Sequence, residues 1–267
     1  MGEEFPQLLR RHRTRRRWSQ EQLGHEAEVS ARHLSCLETG KARPSREMVL
    51  VLASVLELEL RERNAMLVSA GYAAAYATTA LDARAMAPIQ RAIDLVLTQQ
   101  EPYGAILVDR CWNVLRTNQG ARRLLGSFLD PTTLPDGVAT NLVRATLHPN
   151  GLRPHIVNWS AVAAVLVERV ERAHLANPED EDRRQLFDLV RAEVGPHGLG
   201  PPPDGAPFAV VHLRRGDLEL RLFTLLTTIG TPLDVTAQDL TVETLFPADA
   251  ATERWFQAVA LDRRLNV

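Results

Sequence analysis

Arg32 carries a forked guanidinium that can bond two acceptors at once, the pattern guanine presents through O6 and N7. Around it stand His33 with a ring N–H, Ser35 with a hydroxyl, the N-cap residue Ser30 and the small apolar Ala31. Lys41 and Arg43 follow, and Gln20 precedes them. Donors and cations grouped this closely suit phosphates and base edges, with Lys41, Arg43 and the arginines at positions 13 to 17 reaching phosphates. A second donor group, His148, Arg153, His155, Asn158 and Trp159, suits a carboxylate, with Arg153 or His155 as its anchor. Nothing points to catalysis. There is no G-x-S-x-G, Walker loop or dinucleotide glycine fingerprint. His148 and His155 are seven apart with no cysteine pair beside them, so no metal site and no cofactor are expected. The chain is therefore read as a non-enzyme with no catalytic residues.

The elements that position the first group are legible from caps and apolar spacing. Phe5, Leu8 and Leu9 begin the stripe of a first helix that runs on through Arg17. Ser19 with Gln22 three positions later forms a capping box for a second helix. Ser30 caps a third, with Leu34 and Leu37 inward and Gly40 as its stop. Pro44-Ser45 opens a fourth helix, and a fifth runs from about Glu59 to Ala70. Leu23, Ala27, Val29, Leu34 and Leu37 are the expected core.

Residues 72–85 read as a linker. A helix over about 86–99 follows, then apolar runs at 104–109 and 112–117 with a tight turn expected at Arg110-Cys111. Asn118 caps a short helix. A mainly helical stretch covers about 140–193, with its longest helix over 157–175. The Pro/Gly cluster at 195–207 reads as a loop. Strands return at 208–213, 218–227 and about 240–246, and Leu218, Leu220 and Leu222 alternate with Glu219 and Arg221 as in a half-exposed strand. Hairpins separated by helices give an antiparallel sheet flanked by helices. The fold class is α+β in two domains, an all-α helix-turn-helix head and a PAS-like sheet body.

Composition agrees with this division. The chain has 267 residues, and its 45% hydrophobic content excludes a disordered chain. Net charge is −2, but Phe5–Arg46 holds ten basic residues against four acidic ones. A basic head on an acidic body is the asymmetry of a chain whose one end meets a polyanion. Two cysteines cannot form a disulfide framework, and no stretch has the length of a membrane helix or the character of a secretory leader, so a cytoplasmic location without membrane partners is expected.

The series Ser19-Gln20-Glu21-Gln22-Leu23, Val29-Ser30, Leu37-Glu38-Thr39-Gly40 and Pro44-Ser45 resembles the helix-turn-helix of lambda-repressor-like (XRE) regulators over about residues 5–60. The resemblance implies that the third helix enters the major groove, that Gln20 touches a phosphate or supports the first contacts, and that Glu38 makes an internal ion pair. The family turn often reads Ala-Gly where this chain has Ala27-Glu28. A longer, collinear resemblance is to MmyB-like transcriptional regulators. It rests on Leu60–Leu67, Ala70-Gly71-Tyr72, Glu101-Pro102-Tyr103, Asp109–Val114, Asn118, Leu147–Pro154, Val157-Asn158-Trp159, Gly230–Val235 and Leu245–Asp249. This implies a PAS-like sensor body that binds fatty acids or similar apolar molecules.

The expected domains are 1–71 for DNA binding, 72–85 as linker and 86–267 as sensor. A PAS-like body holds an apolar cavity, for which the candidates are Leu125, Phe128, Leu142, Leu147, Ile156, Trp159, Val162, Leu166, Val211 and Leu222, with Arg153 and His155 as polar anchors. Leu124, Ala163, Leu213 and Leu225 are further candidates. The function expected is a ligand-responsive transcription regulator that binds double-stranded operator DNA as a homodimer and takes an apolar ligand such as a long-chain fatty acid. The alternative is a regulator whose body is a ligand-free interaction or dimerisation module.

Overall fold

Side-chain caps decide where the N-terminal helices begin. In the computed structural model, which describes residues 3–195 and 208–261, the first helices are α1 (Phe5–Arg15), α2 (Gln20–Glu26), α3 (Ala31–Glu38), α4 (Arg46–Val55) and α5 (Leu60–Ser69). Ser19 caps α2 in a reciprocal box with Gln22, and Ser30 and Ser45 accept from the backbone N–H groups of His33 and Met48. Gly40 follows α3 at a φ of 71°, the left-handed region where glycine is unstrained. Phe5, Leu9, Leu23, Leu34, Leu37, Leu52 and Met66 close one apolar core, with Val29 packed at its edge.

The described chain forms two compact units. The first is Met1–Ala85 together with Gly230–Gln238, the second Met86–Ile229 together with Asp239–Val267. Residues 72–85, expected as a linker, are held within the first unit. The Asn64 carboxamide bonds the backbone of Ala75 and Tyr76 at 2.7–3.0 Å, and the Tyr72 hydroxyl donates to the carbonyl of Pro44 at 2.9 Å.

The second unit begins with α6 (Ala87–Gln99), β1 (Ala105–Val108), β2 (Val114–Thr117), α7 (Gln119–Phe128) and α8 (Leu142–Leu147). Then come α9 (Trp159–Ala176), α10 (Glu181–Val194), β3 (Val211–Arg215) and β4 (Leu218–Thr228). The last described elements are α11 (Val235–Asp239), β5 (Thr241–Pro247) and α12 (Ala250–Leu261). Apart from Gly195, the loop expected over 195–207 lies outside the described residues.

The five strands form one sheet in the order β2-β1-β5-β4-β3, every neighbouring pair antiparallel. Leu220 and Leu222 are buried while Glu219 and Arg221 are exposed, the alternation read in the sequence. The turn between β1 and β2 differs from expectation. Arg110-Cys111 supplies neither residue of a two-residue turn with positive φ. Instead the Asp109 carboxylate accepts from the backbone N–H groups of Cys111 and Asn113, and Trp112 takes a φ of 60°.

Asparagines join the layers of this unit. Asn118 caps α7 and accepts from Ala105 N on β1, and its amide donates to Leu97 and Tyr103 carbonyls. Asn141 caps α8 and donates to the Cys111 carbonyl, and Asn158 bonds Val210 and His212 beside β3.

The connection from β4 to β5 supplies Gly230–Gln238 to the first unit. There Val235 N–H donates to the Ala77 carbonyl at 2.8 Å, and the Thr79 hydroxyl donates to Asp234 at 2.6 Å. The Gln238 side chain accepts from Leu60 N–H at 2.7 Å, satisfying a free donor at the start of α5. Val235 and Ala237 are buried.

His12 is sealed in the head, 2% exposed, and neither ring nitrogen has a hydrogen-bond partner among the described residues. The Glu62 carboxylate lies 3.7 Å away but is bound by Arg15 at 2.8 Å. Burial, reinforced by Arg15 and Arg11, lowers the His12 pKa from 6.5 to about 3. The folded state therefore keeps His12 neutral while the unfolded chain binds a proton below pH 6.5. The associated stability is full above that value and is lost as pH falls towards about 3. Equilibrium unfolding of the head is expected to lose about 2 kcal/mol between neutral pH and pH ~5 through this group. His12→Phe should flatten that dependence, and an unchanged slope in the variant would show that another group carries it.

Candidate DNA interface and ligand cavity

The short turn between α2 and α3 sets the interface. Val29 N–H donates to the Gly24 carbonyl at 2.8 Å, and a Cβ on Gly24 would lie 2.4 Å from the Val29 carbonyl oxygen. Only glycine permits this approach, a requirement that a reading centred on Leu23 and Val29 passed over. Glu28 adopts a φ of 54°. Glutamate thus stands at this turn position in the left-handed conformation that favours glycine.

Arg13 fixes α3 against the other helices. Its Nε and Nη2 donate to the two carboxylate oxygens of Glu38 at 2.6 and 2.8 Å, and its Nη1 donates to the Trp18 carbonyl at 2.7 Å. Gln20 donates to the same carboxylate at 2.8 Å. Burial alone would raise the Glu38 pKa, but the bonds from Arg13 and Gln20 outweigh it and hold the carboxyl below its ordinary range. The expected internal ion pair of Glu38 is thus present, and Gln20 supports the fold from the start of α2.

The arginine run differs from expectation. Besides Arg13, Arg15 binds Glu62 at 2.8 Å and Arg16 binds Glu57. These cations neutralise acids of the head instead of standing free for phosphates, while Arg17 stays exposed. The cations on and after α3 are different. Arg32, Lys41 and Arg43 are exposed, and among the described residues none of them makes an ion pair. Ala31, Arg32 and His33 form the first turn of α3 beside the Ser30 cap, and Ser35 follows one turn on. The N-terminal turn of such a helix is the part that reaches base edges.

In the second unit a cavity of about 160 Å³ lies between the sheet and the helices α7, α8 and α9. It is lined by Leu124, Leu125, Phe128, Leu142, Ile156, Val162, Leu166, Val211, Leu213 and Leu222, all read from the sequence as candidates. Ile106, Trp112, Val143, Leu152, Val165, Ala209, Val210 and Leu245 complete the apolar wall.

Other candidates lie elsewhere. Leu147 packs with Val143, Val167, Val170, Leu186 and Val190. Trp159 packs beneath Arg153, whose guanidinium stands 4.5 Å from its ring centre and 3.6 Å from Glu193. His155 sits against Phe128 with ring centres 5.6 Å apart, outside the lining. His148 accepts from Asn150 N–H in its turn. Ala163 is buried in packing, and Leu225 is 54% exposed. The expected donor group is therefore engaged in turns, stacking and layer contacts, not in the cavity.

Among the described residues, the cavity's polar ones are Thr146, Arg169, Thr224 and Glu243. Arg169 Nη1 donates to Glu243 at 3.0 Å, and its Nη2 donates to the Thr224 hydroxyl at 3.2 Å. Sequence reading missed this group. The available signal was a pair of misfits. Arg169 continues the helical stripe of Val162 and Leu166, and Glu243 interrupts an apolar strand that proves to be the middle of the sheet.

A helix-turn-helix head with exposed cations on and just after its third helix, joined in one chain to a sheet-and-helix body around an apolar cavity, defines a ligand-binding regulator of transcription. Residues 89–259 match the MmyB-like transcription regulator ligand binding domain, and residues 4–66 match a helix-turn-helix domain. The chain belongs to the MmyB-like transcription regulator family. Among curated proteins nothing matches it.

Glu28→Gly should stabilise the head by about 0.5–1 kcal/mol. The left-handed conformation costs a residue with a Cβ about 1–2 kcal/mol, and the added freedom of glycine in the unfolded chain returns roughly half of that. Thermal unfolding checks this, and a lower midpoint would show that the Glu28 side chain stabilises the turn by more than its backbone costs.

Proposed function

We propose that the chain binds operator DNA as a homodimer through α3 and answers to an apolar small molecule, of the class of fatty acids and their neutral derivatives, held in the body's cavity. The observation that carries the DNA reading is the division among the basic residues. Arg13, Arg15 and Arg16 are bound to acids, whereas Arg32, Lys41 and Arg43 stand exposed with no ion pair among the described residues. Arg32 reads a guanine edge, and Lys41 and Arg43 hold phosphates. Two heads on one duplex match the paired half-sites that helix-turn-helix proteins use.

The apolar cavity favours the ligand reading over a ligand-free interaction module. Its volume of about 160 Å³ resembles engineered apolar cavities that stay dry and admit a single aromatic ring. A compact apolar group or short acyl chain enters such a space directly, and a longer chain requires the walls to yield. Ligand then alters DNA binding only by favouring one conformation or dimer geometry over another.

Arg32→Ala should weaken binding to a selected operator by about 1–3 kcal/mol, roughly five- to 150-fold, and change affinity for unrelated duplex far less. Anisotropy titrations at one fixed salt concentration measure both, and equal losses would remove Arg32 from base reading. For the body, native mass spectra of purified protein should show an apolar adduct that denaturing spectra release. Protein that is ligand-free and whose tryptophan fluorescence ignores both added fatty acids and their amides would favour the interaction module, because Trp112 lines the cavity.

A further inference from the structure

We infer that the Arg169–Glu243–Thr224 group makes the cavity selective for an acyl or alkyl chain with an uncharged polar head, such as an amide, ester or alcohol, over the free carboxylate. The inference rests on the proposed occupation of this cavity by an apolar ligand and concerns the chemistry of its polar end.

Charge balance carries the argument. Arg169 is an obvious anchor for a carboxylate, but its charge is already engaged. Glu243 is 4% exposed, on the central strand β5, opposite Ile106 of β1 and Leu226 of β4. A carboxylate buried there requires a cation, and Arg169 supplies it at 3.0 Å. An entering carboxylate would compete for Arg169 and set a second negative charge beside Glu243. An entering ammonium would compete with Arg169 for Glu243. Either leaves a charge in the cavity that the remaining described wall does not compensate. Thr224 accepts from Arg169 and keeps one O–H, a neutral donor that cannot balance a charge, and the Thr146 hydroxyl donates to the Leu142 carbonyl at 2.7 Å.

A neutral head meets none of these costs. A guanidinium has five N–H donors, and the bonds to Glu243 and Thr224 use two of Arg169's. A carbonyl or hydroxyl oxygen can accept from a remaining one with the ion pair intact. An amide or hydroxyl hydrogen can also be donated to Glu243, whose carboxylate has further lone pairs. Arg169 and Glu243 are thus specificity-determining as a pair, and neither acts as a lone charge.

The test uses the full chain and four compounds of one chain length: decanamide, decanol, decanoate and decylamine, each titrated by calorimetry with tryptophan fluorescence as a second readout. The amide and alcohol are expected to bind at least about tenfold more tightly than the two charged compounds. Glu243→Gln removes the charge that occupies Arg169, so decanoate should gain at least about tenfold and draw level with decanamide. The wild-type series decides the point even if that variant does not fold. Decanoate binding as well as decanamide overturns the head-group inference and leaves the cavity reading in place. Absence of binding by all four overturns the cavity reading and this inference with it.

Discussion

A carboxylate removed from water must be given a cation or several hydrogen bonds, and in this chain the head depends on how Glu38 meets that demand. Arg13 from α1 and Gln20 from α2 converge on a carboxylate at the end of α3. Three helices are thereby held at one point, and the first turn of α3 is left facing out. Removing one partner of such a buried pair typically costs about 3–5 kcal/mol, because the other charge stays buried. The same demand recurs where Arg15 binds the buried Glu62, with His12 kept neutral beside them. The dense arginine run at the end of α1 is therefore chiefly internal chemistry, and the cations available to a polyanion are fewer than its charge suggests.

The body obeys the same constraint with a different consequence. Arg110 binds Asp180 and Asp182 and lies 3.7 Å from Asp239, tying the β1–β2 loop to the start of α10 and the entry to β5. The Asp180 carboxyl is pushed up by burial but held below its ordinary range by Arg110 and by the N–H of Arg183. Arg169 and Glu243 differ from this pair in their place. They line a cavity, so the constraint that stabilises an ion pair in packing here controls what can share the space. A wall of leucine, valine and phenylalanine provides the apolar attraction, and a neutralised polar end limits the ligand's charge.

How far the sequence could be read follows from how local each cause is. Ser19, Ser30, Ser45 and Asn118 cap helices through atoms a few residues away, so these starts were legible. The alternation from Leu218 to Leu222 is equally local, and it located β4. Most of the cavity's apolar wall was legible because Val162, Leu166, Val211 and Leu222 lie on the buried face of their elements. Its polar end was not. Arg153 and His155 cluster with other donors along the chain, but the fold sets them against Trp159 and Phe128. Arg169 and Glu243 are 74 residues apart and meet only when α9 covers the sheet. The arginine run misled for the same reason, since its partners Glu38, Glu57 and Glu62 come from later helices.

The discontinuity of the first unit is the strongest case of a nonlocal cause. By composition, residues 72–85 look like a tether, weakly patterned and rich in alanine and threonine. Their order comes from Asn64 on one side and from Asp234 and Val235 on the other, the latter from a segment some 155 residues away. Gln238 completes the start of α5, where Glu59 and Glu62 already form a reciprocal cap. These bonds satisfy backbone donors that residues 1–85 leave open, so the head is defined by packing and not by a cut in the chain. The same nine residues connect the strands that carry Thr224 and Glu243. One covalent stretch thus belongs to the helical unit by its hydrogen bonds and to the sheet by its connectivity, a relation that neither composition nor periodicity can express.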